Sequence, residues 1–97
     1  MVLNEPSGFT LLGYLAGIHA PNQSSINKFL ASVHHAGLCQ AEGGRIIRNN
    51  VKNSHIGNAY SCSFVEPSKP TISHRRAAGR IDVLLNRLFI EASLGMG

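Results

Sequence analysis

The chain has 97 residues, a length that favours one domain with a modest hydrophobic core. Its apolar fraction of 43% and mean hydropathy of +0.02 are those of a globular chain, which excludes wholesale disorder. Nine Lys and Arg against five Asp and Glu leave a net charge of +4 and a pI near 9.6, which favours polyanionic or acidic partners over cationic ones.

The first predicted element is a helix over Ser7–Ala20. Ser7 can cap its start and Pro21 stops it. Gly13 and Gly17 each lower helix stability by about 1 kcal/mol relative to Ala, so we expect an irregular helix. The apolar residues near helical spacing, which we expect in the core, are Phe9, Leu12, Leu15, Ala16 and Ile18.

The same stretch bears on the cellular location. Its apolar part, residues 9–20, is shorter than the roughly 20 residues that a membrane span needs. The N-terminus carries no basic region before this apolar run, and the two cysteines, Cys39 and Cys62, are too few for a disulfide framework. We therefore predict a cytoplasmic protein without a membrane segment.

A second helix gives the clearest local pattern. Ser24 and Ser25 are capping candidates, and Gly37 can end the helix in the left-handed conformation. The opposite face carries small or hydrogen-bonding residues and one cation, so it can approach a polyanion closely. The regular apolar stripe consists of Ile26, Phe29, Leu30, Val33 and Leu38.

A β-hairpin is predicted next. Leu38–Ala41 is a short extended stretch, and Glu42–Gly44 is a turn in which the glycines supply positive φ. Arg45–Val51 can form one strand, and the alternation over Ala59–Val65 predicts another. The polar connection at residues 52–58 would form a mobile, basic tip.

The last predicted element is a helix that follows a Pro-punctuated linker at residues 66–70. Thr71 or Ser73 can cap it, it runs to about Ser93, and Gly95 ends it. Its broad apolar stripe either covers the chain's own core or pairs with a second copy, and periodicity leaves both alternatives open. The candidate dimer or partner interface consists of Ile81, Leu84, Leu85, Leu88 and Phe89.

The order of elements from Asn22 to Val65 resembles the winged-helix (winged helix-turn-helix) DNA-binding domain. Ser24–Leu38 reads as a recognition helix ending in Ala-Gly-Leu, and the basic hairpin follows it. The resemblance implies an α+β fold with two N-terminal helices, a small antiparallel sheet or wing and a long C-terminal helix. We expect one domain over 1–97, divided into a helix plus wing at 22–65, the linker and a C-terminal helix at 71–97.

The resemblance also implies a set of DNA contacts. The recognition helix, residues 24–36, would enter the major groove of duplex DNA through Ser24, Ser25, Asn27, Lys28, Ser32 and His35. The basic wing, residues 45–58, would contact the backbone or the minor groove through Arg45, Arg48, Lys52, Asn53 and His55. The predicted function is therefore transcription regulation, by a homodimer joined through its C-terminal helix.

Catalysis and metal binding are not predicted. The spacing of the histidines and cysteines contains neither a C-x-x-C nor an H-x₃-H pair, so we expect no metal site. No two carboxylates can be named as a general acid and base, so we predict that the chain is not an enzyme and needs no cofactor. The isolated carboxylates are Glu5, Glu42, Glu66, Asp82 and Glu91.

A second function class stays open beside DNA binding. The apolar C-terminal helix and the absence of a catalytic set also fit a small non-enzymatic interaction module, an inhibitor or adaptor. Such a module would dock on an acidic protein surface of a larger protein or complex.

Overall fold

The computed structural model describes residues 1–95, and all regular secondary structure in this range is helical. Met96 and Gly97, the end of the C-terminal helix predicted at 71–97, lie outside the described residues. In chain order the elements are α1 (Pro6–Thr10), a first π-helical segment (Leu11–Leu15), α2 (Ile26–Asn50), α3 (Ile72–Asp82), a second π-helical segment (Val83–Arg87) and α4 (Leu88–Ser93).

Helix α2 starts where its sequence predicts and ends much later. The side chain of Ser25 accepts a hydrogen bond from the backbone N–H of Lys28 at 3.4 Å, which confirms Ser25 as the cap. The helix then continues through Gly37, where the sequence predicted its end, and stops at Asn50. Gly37 does not adopt a positive φ, so it does not form the left-handed ending that we expected.

The turn predicted at Glu42–Gly44 and the strand predicted at Arg45–Val51 are therefore wrong, because residues 42–50 belong to α2. A Cβ on Gly43 would lie 2.8 Å from Cγ1 of Val2. The buried Gly44 lies against Ile56, whose Cγ2 is 3.6 Å from the corresponding position. These glycines permit close packing on α2, and that packing offsets their helix cost of about 1 kcal/mol each.

Two extended segments, residues 2–5 and residues 57–59, lie side by side and pair in parallel at Asn4 and Ala59. The Ala59 N–H donates to the Leu3 carbonyl at 3.1 Å, and the Glu5 N–H donates to the Ala59 carbonyl at 2.8 Å. A parallel pair requires a crossover connection, and α2 is its main helix. The predicted antiparallel sheet, with its wing, is wrong, since residue 59 pairs with the N-terminal segment instead of residues 45–51.

The first predicted helix is shorter than Ser7–Ala20, because helical structure stops at Leu15. The chain then turns back, and the backbone N–H of Gln23 donates to the Gly13 carbonyl at 2.9 Å. A Cβ on Gly13 would lie 2.7 Å from the Ala20 carbonyl oxygen. Glycine is thus required at position 13, because the loop that returns after Leu15 packs directly against it.

The C-terminal region begins at its predicted residue. The Thr71 hydroxyl accepts from the backbone N–H of His74 at 3.3 Å, which confirms the predicted cap. Gly95, with φ 69°, follows the end of α4. Phe89 is 2% exposed and α4 contacts α2, so the stripe packs at least partly within the chain.

The described residues form an open structure with a small core. Its radius of gyration is 15.3 Å, whereas a compact domain of this length has about 13 Å. Among residues 1–95 the buried apolar side chains of the core are Phe29, Ala36 and Phe89. No helix in the same range is both long and apolar enough to cross a membrane.

Candidate functional site

Glu5 lies at the carboxyl end of the first extended segment, beside Ala59. Its N–H donates to the Ala59 carbonyl at 2.8 Å, and its own carbonyl accepts from the Gly8 N–H at 2.9 Å. Its backbone is left-handed, with φ 48° and ψ 57°. Because this conformation costs a residue other than glycine roughly 1–3 kcal/mol, neighbouring contacts must hold it.

Those contacts come from the start of α1. Pro6 occupies the first helical position, where its fixed φ suits the helix and its missing N–H leaves no donor unpaired. Both Pro6 and Thr10 are fully buried, and the Thr10 hydroxyl donates to the Pro6 carbonyl at 2.7 Å. The backbone at Glu5 is therefore fixed on both sides, while its side chain is exposed.

Glu5 differs from three of the other four carboxylates in its surroundings. Among the described residues its side chain forms no hydrogen bond or ion pair, and Glu66 lies exposed in the connection before α3. The remaining three are engaged on helix surfaces: Glu42 pairs with Arg45, Glu91 pairs with Arg87 at 2.5 Å, and Asp82 accepts from Asn86 at 2.7 Å. The hydrogen bond and charge of Glu91 raise the pKa of Arg87 above its ordinary value.

The chain that follows the second extended segment is held by a residue of the second π-helical segment. The side-chain amide of Asn86 accepts from the Ser63 N–H and donates to the Ser63 carbonyl, both at 2.7 Å. One side chain thus binds both backbone groups of a residue four positions beyond Ala59. Glu5 and the Ser63 segment both follow the paired residues of the two parallel segments.

The family is decided by comparison with known proteins. All of residues 1–97 match the sequence model of glycosyl hydrolase family 1. The chain belongs to glycosyl hydrolase family 1.

Individual relatives agree with this family. A 1,4-β-D-glucan glucohydrolase of Thermotoga neapolitana is 31% identical over 78 residues, which cover 80% of this chain and 18% of that protein. β-Glucosidase A of Thermotoga maritima is 31% identical over 68 residues, 70% of this chain and 15% of that protein. The crystal structure of a psychrophilic β-glucosidase from Micrococcus antarcticus matches with a TM-score of 0.84 and 33% identity, and the match covers 92% of this chain and 19% of that one.

This family 1 chain spans about a fifth of the length of the relatives that it matches. Its order of extended segment, helix, parallel extended segment and helix is that of a piece of a (β/α)₈ barrel. A piece of a barrel leaves surfaces uncovered, which accounts for the open shape. The winged-helix resemblance and the α+β wing are both overturned.

The functional predictions are corrected with them. DNA binding, transcription regulation, the duplex DNA partner and the homodimer are wrong for a family 1 chain, and so is the non-enzymatic interaction module. The prediction that the chain is not an enzyme is also wrong at the level of the family, whose relatives are β-glucosidases. The carboxylates are isolated along this sequence, whereas a barrel brings together residues from distant strands, so an acid–base pair need not lie within one short chain.

The residues predicted for the recognition helix do lie together near the start of α2, but the wing residues do not form a wing. Arg45 and Arg48 lie on the last turns of α2, and Lys52, Asn53 and His55 lie in the connection after it. A cavity of about 530 Å³ between α2, residues 56–60 and the end of α4 includes both arginines. A second cavity, of about 420 Å³, is lined by Lys28, Ser32 and His35 together with Phe9 and Tyr14.

The remaining predicted residues have mixed surroundings. Within the candidate interface, Phe89 is buried, Leu84, Leu85 and Leu88 are half-buried, and Ile81 is 47% exposed. Cys39 and Cys62 are exposed and free. In the part of the chain that the structure describes, no three His, Cys, Asp or Glu side chains are grouped as metal ligands.

The sequence alone shows Glu5 as an isolated carboxylate and does not reveal its position beside Ala59. The available signal was a carboxylate between an extended apolar pair, Val2–Leu3, and a proline that opens a helix. That pattern places Glu5 at the end of a strand-like segment. Glu5 lines neither of the two cavities, and the parallel pairing and its left-handed backbone distinguish it from the other carboxylates.

Proposed function

We propose that this chain forms part of the barrel of a β-glucosidase-type glycoside hydrolase, and that Glu5 is one of its two reacting carboxyl groups. Glycoside hydrolysis generally needs two carboxyl groups across the scissile bond, about 5–5.5 Å apart in retaining enzymes and about 6.5–9.5 Å apart in inverting ones. The observation that carries the proposal is the placement of Glu5 directly after the parallel pair of Asn4 and Ala59.

The position of Glu5 supports this role through the general organisation of barrels. Active sites of (β/α)₈ barrels lie at the carboxyl ends of the strands, where loops from several strands meet. Glu5 occupies that end of the first segment, and its left-handed backbone is held by Ala59 and Gly8. Backbone strain concentrates at functional sites, where it fixes a side chain in one direction.

The second carboxyl group would come from residues outside this chain. Three of the other four carboxylates are engaged on helix surfaces. The fourth, Glu66, lies exposed in the connection that leads to α3, seven residues beyond Ala59. The relatives are about five times as long as the stretch that they share with this chain. The proposal therefore requires that this segment acts as part of a complete barrel.

The substrate class follows from the relatives. Two of them carry the name β-glucosidase and one is a 1,4-β-D-glucan glucohydrolase, which supports β-linked glucosides as substrates. A cytoplasmic location stays a proposal, and it is supported by the two exposed cysteines that form no disulfide.

A chimera tests the proposal. This chain replaces the matching fifth of the Micrococcus antarcticus β-glucosidase, and hydrolysis of an aryl β-glucoside is measured. We expect Glu5→Gln to lower kcat/KM by about 10²–10⁴-fold, the typical contribution of a positioned acid or base. Glu42→Gln, the same change on the surface of α2, is the matched control and should leave the rate within about twofold. An active chimera that tolerates Glu5→Gln contradicts the role of Glu5.

A further inference from the structure

Asn86 makes the most elaborate polar contact between distant parts of the described chain. Its amide binds the N–H and the carbonyl of Ser63, 23 residues away, with two hydrogen bonds of 2.7 Å. These bonds reproduce the pattern that a neighbouring strand would offer to Ser63. The side chain thus replaces a strand at this edge.

The orientation of the amide is fixed by a third bond. Asn86 Nδ2 also donates to Oδ1 of Asp82, one helical turn earlier, at 2.7 Å. A carboxylate only accepts hydrogen bonds, so the nitrogen of the amide must face Asp82 and the oxygen is left for the Ser63 N–H. Asn86 itself lies in the second π-helical segment, a conformation that often occurs at functional sites.

The held segment lies at the same end of the parallel pair as Glu5. Ser63 is four residues beyond Ala59, so their Cα atoms are at most roughly 14 Å apart along the chain. The next residue, Phe64, is 90% exposed, the highest value among the large apolar side chains of the described range. An exposed aromatic ring at the end of the parallel pair where Glu5 lies is typical of the lining of a ligand site.

We propose that Asn86 is a positioning residue for substrate binding: it holds residues 61–65 as a wall of the sugar site, and Phe64 on this wall contacts the glucoside. The inference rests on the proposed function, since it takes Glu5 to lie in the same site. Asn86 touches no substrate and acts through the backbone of Ser63. Its loss therefore weakens binding and leaves the chemistry at Glu5 in place.

Hydrogen exchange tests the anchoring step without any activity. In the 97-residue chain, NMR measures exchange of the Ser63 amide in the parent, in Asn86→Ala and in Asn50→Ala. Asn50 is the matched control, because its amide bonds only within its own helix, to Ile46 at 2.8 Å. We expect exchange at Ser63 to accelerate at least about tenfold in Asn86→Ala alone. An unprotected Ser63 in the parent, or equal exchange in the parent and Asn86→Ala, overturns the proposal.

Kinetics of the chimera test the functional step. We expect Asn86→Ala and Phe64→Ala each to raise KM for an aryl β-glucoside about tenfold, with kcat changed less than about threefold. The KM of the double variant should match that of Asn86→Ala within about twofold, because both substitutions remove the same contact between Phe64 and the glucoside. Additive effects, or a loss confined to kcat, overturn the proposal. An unchanged KM despite accelerated exchange also overturns it.

The two proposals fail in different ways. If Glu5→Gln leaves an active chimera unaffected, the role of Glu5 fails while the KM comparison still judges Asn86. If the chimera folds by circular dichroism and neither hydrolyses nor binds glucoside in calorimetry, both proposals fail. If Glu5→Gln abolishes activity and the KM values of the Asn86 and Phe64 variants are unchanged, only the wall is refuted.

Discussion

Replacing Gly37 by Ala distinguishes the observed helix, which continues to Asn50, from the predicted helix, which ends at Gly37. In the structure Gly37 is inside α2, its φ is not positive, and no heavy atom other than those of its chain neighbours and the adjacent helix backbone lies within 4 Å of an added Cβ. Alanine should therefore gain the helix-propensity difference without a clash, about 0.8–1.0 kcal/mol in the free energy of unfolding. If Gly37 ended the helix in a left-handed conformation, the same change would cost about 1–2 kcal/mol.

The two expectations have opposite signs, so one assay decides between them. Urea unfolding of the chain, followed by circular dichroism at the helix band, gives the change in the free energy of unfolding. In thermal unfolding, a gain of about 1 kcal/mol corresponds to a rise in Tm of about 4–8 °C. Gly17→Ala is the matched control, because Gly17 has φ 72° and alanine there should destabilise the chain. A destabilised Gly37→Ala variant would refute the continuous α2.

Three further changes test local contacts. Gly13→Ala should destabilise by roughly 1–3 kcal/mol in thermal unfolding, because its Cβ would meet the Ala20 carbonyl oxygen at 2.7 Å; a neutral result would contradict the returning loop. Thr71→Ala should cost about 1 kcal/mol in the same assay while Thr71→Ser costs less, and equal losses would argue against the cap. Glu91→Gln should change urea unfolding by less than about 0.5 kcal/mol, because its pair with Arg87 is exposed at the surface; a larger loss would contradict this.

Local chemistry was readable from the sequence. The caps at Ser25 and Thr71 depend on a hydroxyl and a backbone N–H three residues later, so a short window contains both partners. Gly95 after the last helix follows from the same kind of local rule. These features define where two of the helices begin and where the last one ends.

The errors arose where distant residues decide the conformation. Gly43 and Gly44 resemble a turn in isolation, but they serve close packing of α2 on Val2 and Ile56. Ala59 pairs with the N-terminal segment, more than fifty residues away, and no periodicity in either segment indicates that partner. Without this pairing, the patterns of residues 45–51 and 59–65 predict a basic hairpin that resembles a wing.

The candidate site was missed for the same reason. The proposed role of Glu5 depends on its position beside Ala59 and on a second carboxylate, which the proposed function places outside this chain. Asn86 could be read as a polar residue on a helix surface until its two bonds to Ser63 were seen. Both residues contact a segment that is distant in the sequence, and the sequence alone does not show which distant segments are neighbours in the fold.

The most direct test is the distance between two carboxyl groups in a crystal structure of the chimera. If this chain supplies one reacting carboxylate of a glycoside hydrolase barrel, a carboxyl group from the rest of the barrel should face Glu5 across an open cleft, at roughly 5–10 Å. The same map should show Glu5 at the carboxyl end of its segment, beside Ala59. A Glu5 carboxyl group with no second carboxyl group within about 10 Å would contradict the account.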